Sequence, residues 1–413
     1  MTEHIPRRWA TIAFIVLSAG LISACGGPRP PTAWSGLTVS GEIAYLASTD
    51  RIYAIDTNPQ TNHLQRQLWT VQSPGQGARF TFHAKPLVSE DGILYSGSDN
   101  AGNSGNLVFA LDTNQIISAG EPPNQYKTAG TRWRYPGAEN QLSLGSIYGG
   151  VSADGQALYV ATGKGQILSL ALRPDGQVGQ VNWVYTTTRP IWSTPVVSGS
   201  VVYVTSQDHR LYALDAQTGS EIWTFAADAA LAGTPTVYRD TVYAGSLAQK
   251  LYAVDAATGT ARWEFPTQGW LWDGPVVYGD ILYLGDLGGN LYALGLNGNE
   301  LWRLPSGAEL TPDDPENKNL LEGMIRAQPL VTADRIYLAT GAGKLYALDR
   351  ATRSHVWTFT ALQGGEQFLT TPALISETLL IAPVPAGASP TLLYAVDAMS
   401  GNALWSFPPR QAP

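Results

Sequence analysis

An all-β, eight-bladed β-propeller with four-stranded antiparallel blades is the fold class this sequence predicts, and three observations predict it. A short segment recurs: "DAQTGSEIW" at residues 215–223, "DAATGTARW" ending at Trp263 and "DAMSGNALW" ending at Trp405. Trp183, Trp223, Trp263 and Trp302 lie 40, 40 and 39 residues apart, and looser copies carry Trp69, Trp133, Trp357 and Trp405, which makes eight units. Inside each unit, runs such as "VVYV", "LYAL" and "IWTF" are separated by "SGS", "SQDH" and "QTG". Short runs rich in Val, Tyr, Ile and Trp between turn formers are strands, and four strands per unit of about forty residues is the propeller-blade signature.

The chain is long enough for two or three ordinary domains, but a repeat array of 413 residues forms one body. Only 14% of residues are charged, while Gly and Pro together number 70. That composition excludes coiled coil and disorder and favours a turn-dense β protein. The net charge of −8 comes without a basic run, which excludes nucleic acid as a partner.

Residues 1–24 read as a lipoprotein signal peptide. Arg7 and Arg8 precede the apolar stretch "ATIAFIVLSAGLISA", which is too short for a permanent span. "ISAC" then ends at Cys25, the one cysteine of the chain. Ile22, Ser23, Ala24 and Cys25 resemble the bacterial lipobox, in which the cysteine receives lipid (palmitate among its acyl chains) and becomes the mature N-terminus. Processing there removes Glu3, Arg7 and Arg8, leaving 23 basic and 32 acidic residues, a net −9. With its only thiol lipidated, the chain forms no internal disulfide. Residues 25–33 read as a tether and 34–413 as the propeller, a monomeric body held at a membrane in the cell envelope.

Each element of the unit has a physical reason. Pro195, Pro235, Pro275, Pro329 and Pro372 open the first strand of their units. Proline lacks an N–H and suits an edge, which makes this strand the innermost one, facing a central channel. Asp215 and Thr218 can hold turn amides, and Gly219 can take a positive φ to reverse the chain. Trp223 then falls on the outer strand, flat against the neighbouring blade, and Ala213 is small enough to receive a ring. A buried indole hides about 150–250 Å², roughly 4–6 kcal/mol gross as an upper bound. Eight repeated contacts suit architecture, so the series at 69, 133, 183, 223, 263, 302, 357 and 405 is read as structural docking. The copies drift: Arg353 replaces the glycine in blade seven, Gly295 the aspartate in blade six and Ala171 the aspartate in blade three, where Gly150 stands near the proline position.

The pattern A-x-D-x-x-T-G-x-x-x-W at Ala213–Trp223 and Ala253–Trp263 resembles the docking motif of pyrroloquinoline-quinone-type eight-bladed propellers. The resemblance covers nearly all of the chain after residue 33 and implies the fold more than the function. Its BamB-like lipoprotein branch implies a non-catalytic scaffold in outer-membrane protein assembly, with a protein partner at the envelope and no cofactor. Its quinoprotein dehydrogenase branch implies pyrroloquinoline quinone with calcium, an aspartate base and commonly a vicinal cysteine pair, which this chain lacks. An extracellular ligand sensor is a further alternative. In BamB-like chains an N-terminal strand commonly completes the last blade. Here the first unit starts at "AWSGLTVSGEIAYLA" and the last keeps its own "ALWSF" strand, so closure is expected from packing of blade eight on blade one.

Loops that enter the inner strands share one face in a propeller. Phe82, His83, Lys85, Tyr148, Trp192, Trp270, Trp272, Asp273, Arg326 and Phe368 are expected there as a candidate binding face. Aromatics beside a few charges suit a peptide strand, a glycan or a planar ligand; the alternative is a channel plug. His209 beside Asp208 could suggest acid–base work, but neighbours on a turn point apart. The five histidines form no metal motif, and "TPDDPENKN" near Asp313 reads as a solvated loop. No nucleophile elbow, phosphate loop or paired catalytic carboxylates are present, so no catalytic, cofactor or metal residues are assigned.

Overall fold

The computed structural model describes residues 35–48, 50–62, 65–72, 80–82, 84–100, 106–119, 126–136, 144–172, 178–305, 321–362, 364–384 and 391–408. The segments expected as signal peptide and tether, with Cys25, and His83 lie outside these residues, as does the stretch near Asp313. Eight four-stranded antiparallel sheets form a ring of blades. In blade four the strands are Val196–Ser198, Val201–Thr205, Arg210–Asp215 and Glu221–Ala226, hydrogen-bonded in that order from the axis outward. Pro195, Pro235, Pro275, Pro329 and Pro372 each stand immediately before an innermost strand. Blade two carries longer outer strands, Val108–Ala119 and Tyr126–Tyr135, and a small ribbon pairs Phe80–Thr81 with Asp99–Asn100.

The two middle strands of a blade are buried on both faces, so they read as continuous apolar runs rather than strict alternation. Their side chains fill the seams between blades. Tyr159, Ile167 and Trp183 of blade three pack with Val202, Tyr212 and Leu214 of blade four, and an equivalent cluster joins each neighbouring pair among the described residues. The eighth seam closes the ring: Leu37, Leu46 and Ile55 of blade one meet Leu380, Leu393 and Phe407 of blade eight. Tyr53 and Phe407 cross edge-on there with centroids 5.3 Å apart. The closure is therefore apolar packing between complete blades.

The recurrent Asp, Gly and Trp work as one joint. Asp215 Oδ1 accepts from the Thr218 amide at 2.7 Å and the Thr218 hydroxyl at 2.8 Å, which lowers its carboxyl pKa. This fixes the turn that puts Gly219 at φ 72°. A Cβ on Gly219 would fall 2.5 Å from the Trp183 ring, so the indole of one blade lies directly on the turn glycine of the next. Its Nε1 donates to the Ala216 carbonyl at 3.0 Å. Trp223 repeats the geometry on Gly259 and Ala256, Trp263 on Gly298 and Leu296, and Trp357 on Gly401 and Ala398. Ala213 has a different place from the one expected: it faces Trp223 across its own blade, and the turn glycine receives the incoming ring.

The other seams lack this joint among the described residues. Arg353 holds the turn of blade seven at φ 65°, a conformation that costs an L-residue about 1–2 kcal/mol, and its Cβ takes the place of the glycine surface. Trp302 meets Tyr283 at 61° there, whereas the Tyr–Trp pairs of Trp183, Trp223, Trp263 and Trp357 lie at 37–47°. At the closing seam the Arg66 guanidinium sits 4.3 Å over the Trp405 ring. Arg66 is itself buried, and it donates to the carbonyls of Asp56 and Asn58. The buried Trp405 Nε1 has no acceptor among the described residues. Trp69 is buried in the seam of blades one and two, and Trp133 packs at the seam of blades two and three.

Candidate functional site: the axial mouth

The segment that leads into each inner strand sorts its side chains by position. Four places before the proline stand Phe82, Ile191, Leu231, Leu271, Ile325 and Phe368, with Ile147 matching in blade three, and all are buried. This corrects two expected face residues. Phe82 packs edgewise on Phe109, and Phe368 stacks on Phe359 at 6.2 Å, so both belong to the core between blades. One place later the chain turns to the axis. Tyr148, Trp192, Trp272 and Arg326, with Ala232 and Leu369, line a cavity of about 240 Å³ at the channel mouth. Lys85 and Asp273 line it too. Trp270 is 53% exposed and does not contribute to the cavity lining.

The residue just before the proline ties blade to blade. Thr194 Oγ1 accepts from the Gly150 amide at 2.7 Å, and Thr234 Oγ1 accepts from the Thr194 amide at 3.1 Å. Blade six has Gly274 at this position and no hydroxyl to offer. Asp273 Oδ1 fills the role and accepts from the Thr234 amide at 2.7 Å. These threonines line the cavity and lie outside the set expected from sequence; the repeated "TP" of "STP", "GTP" and "TTP" is the signal that marks the position.

The electrostatics of the mouth follow from confinement. Burial pushes the Asp273 carboxyl up to about 6, against the opposing pull of the Thr234 amide, Arg326 and Lys85. Burial brings Arg326 down to about 10, with Asp273 opposing. Lys85 reaches solvent in the channel while protein surrounds it, and this confinement lowers its ammonium pKa, again opposed by Asp273. Trp192 and Trp272 stack with centroids 6.0 Å apart and planes at 21°, and the Arg326 guanidinium lies 4.2 Å over the Trp272 ring. Among the described residues the lining thus offers two cations, one carboxylate and an aromatic platform.

A raised carboxyl pKa has a stability consequence. The folded state binds the Asp273 proton more tightly than the unfolded chain does, so this residue costs almost nothing well below pH 4. The cost appears as pH rises through about 4 to 6 and is full above that. A raise of that size corresponds to about 1–3 kcal/mol after allowance for relaxation and water access. Asp273→Asn keeps an acceptor for the Thr234 amide and removes the charge. Urea unfolding should find this variant more stable than the parent by about 1–3 kcal/mol at pH 7.5 and within about 0.5 kcal/mol of it at pH 4. A variant less stable at pH 7.5 would show that the carboxylate is held by its cations.

The lining does not suit a quinone cofactor's calcium. Calcium takes six to eight oxygens, with carboxylates prominent. Asp273 is the one acidic side chain among the described cavity residues, and two cations face it. Among the described residues no three His, Cys, Asp or Glu side chains come together as a metal group. The Asp208–His209 pair is no dyad either. Asp208 Oδ2 accepts from Tyr212 at 2.8 Å and from the Thr188 amide at 3.1 Å, while His209 is an exposed turn residue at φ 70°.

Comparisons with known proteins agree with this architecture. BamB of Moraxella catarrhalis is 17% identical, with a TM-score of 0.59 over 88% of this chain and 91% of that one. A europium-containing methanol dehydrogenase is 16% identical, with a TM-score of 0.58 over 84% of this chain and 82% of that one. The computationally designed Ika8 protein is 12% identical, with a TM-score of 0.58 over 90% of this chain and 95% of that one. At these identities the likeness is one of fold. No curated protein sequence matches the chain. A family profile described as outer membrane protein assembly factor BamB matches residues 113–269, 170–311 and 297–413. Those matches span well over half of the sequence, and with eight four-stranded blades in a ring they place the chain in the BamB family of pyrroloquinoline-quinone-like propellers.

Proposed function

We propose that this protein is a lipid-anchored, non-catalytic scaffold that binds a protein partner at the cell envelope during outer-membrane protein assembly. The observation that carries the reading is the family match across residues 113–413. Two features of the chain support it. "ISAC" at residues 22–25 offers a lipid attachment point at Cys25 ahead of a short tether. The side chains that break the repeat pattern gather at the axial mouth, where aromatic and charged groups suit an inserted segment of a partner. The quinone-dependent alternative asks for calcium ligands that the mouth lacks.

The full chain, purified in detergent, is titrated by interferometry against purified barrel-assembly components. Saturable binding is expected. A parallel sample with pyrroloquinoline quinone, calcium, primary alcohols and a redox dye is expected to give no alcohol-dependent reduction. In cells, Cys25→Ala should shift the protein from the membrane fraction to the soluble one. Absence of binding together with dye reduction would replace the scaffold by an oxidoreductase.

A further inference from the structure

The axial cavity has a feature that the architecture of the ring does not explain. In blades four and five the position before the inner proline is Thr194 or Thr234, and each is hydrogen-bonded to the preceding blade's amide. In blade two that position is Lys85. Its ammonium has no hydrogen-bond or ion-pair partner among the described residues. It lines the cavity and is confined enough there to lower its pKa, with Asp273 the carboxylate that opposes this. Asp273 already gives an oxygen to the Thr234 amide, and Arg326 shares its field. A lysine in a confined, solvent-reached cavity, with no partner of its own and a net positive surrounding, is a counter-ion site for an anion.

The walls narrow the class of anion. The stacked pair Trp192 and Trp272 supplies a flat aromatic surface beside the charge. The cavity of about 240 Å³ holds roughly eight water volumes, below the 300–1,000 Å³ of drug-sized pockets. Among the described lining residues one cation is in excess, which matches one negative charge. We propose that the axial mouth binds a small, flat monocarboxylate of single-ring size, with its carboxylate on Lys85 and its ring against the Trp192–Trp272 platform. The inference goes beyond the scaffold reading and does not rest on it, since binding of a small carboxylate is read on the chain alone, with no barrel-assembly component present.

The test is calorimetric titration of the full chain in detergent with benzoate, benzamide and acetate. Benzoate should bind saturably with a dissociation constant in the range of about 0.1–1 mM. Benzamide, equal in shape and uncharged, should bind about tenfold more weakly, and acetate, which lacks the ring, likewise. Lys85→Met should bring benzoate down to the benzamide level without lowering the unfolding midpoint. Trp192→Leu should weaken benzoate and benzamide alike. The proposal is overturned if benzoate shows no binding up to about 10 mM, or if benzamide equals it on the parent protein, a comparison that needs no variant. Unchanged benzoate affinity in a folded Lys85→Met protein overturns it as well.

Discussion

Trp223→Ala should lower the stability of the folded chain by about 3–5 kcal/mol in urea unfolding. The indole is 8% exposed, packs with Tyr203, Val242 and Tyr252, and donates to the Ala256 carbonyl at 3.0 Å. Its removal opens a cavity at the seam of blades four and five and takes one donor from that carbonyl, which keeps the longer bond from the Tyr203 hydroxyl at 3.3 Å. The loss is larger than for an ordinary core residue because the ring spans two blades and fills the apolar seam between them. Trp302→Ala should cost less, about 2–3 kcal/mol, since Arg353 denies that ring the glycine surface and the indole stays partly exposed. Equal losses at the two positions would show that the glycine surface adds nothing.

Gly259→Ala should cost about 3–4 kcal/mol, and it separates backbone strain from docking. Gly259 sits at φ 72°, and a Cβ there would lie 2.6 Å from the Trp223 ring. Gly199 provides the control at φ 58°, where a Cβ would meet nothing within 4 Å. Gly199→Ala should lose only the strain of a left-handed alanine, about 1 kcal/mol. The difference between the two reads the contact between indole and glycine. Combined with Trp223→Ala, the Gly259 change should cost little more than its own strain, because the ring it displaces is gone. Additive losses in the double variant would contradict the joint. In physical terms this is why Asp, Gly and Trp recur together: the aspartate sets the turn, the turn presents a bare Cα, and the next indole lies on it.

The ring is legible in the sequence because its signal repeats. Trp183, Trp223, Trp263 and Trp302 mark successive outer strands, and each inner proline marks where a blade begins. The seams are less legible. Small size makes Ala213 the expected receiving surface, but strand pairing puts it opposite Trp223 in the same blade. Nothing local shows that the receiving atom lies one turn later on another blade. The mouth is legible in part, for a definable reason. Residues leading into an inner strand follow no strand alternation, so the pattern that sorts Val201 from Val202 does not extend to them. Phe82 and Phe368 stand one position out of phase with Trp192 and Trp272, and their rings enter the core. The role of Asp273 needs its neighbour 39 residues away, the Thr234 amide, which no local pattern reveals.

The division between a structural rim and a functional axis is the claim on which the rest depends. Its most direct measurement is the affinity of the parent and of Trp223→Ala for the same purified barrel-assembly component, taken at a temperature where both are folded. The rim indole touches neither the mouth nor solvent to any extent, so the two affinities should agree within about twofold despite the large difference in stability. A folded Trp223→Ala protein that no longer binds would contradict the account and make the indole series part of the binding surface.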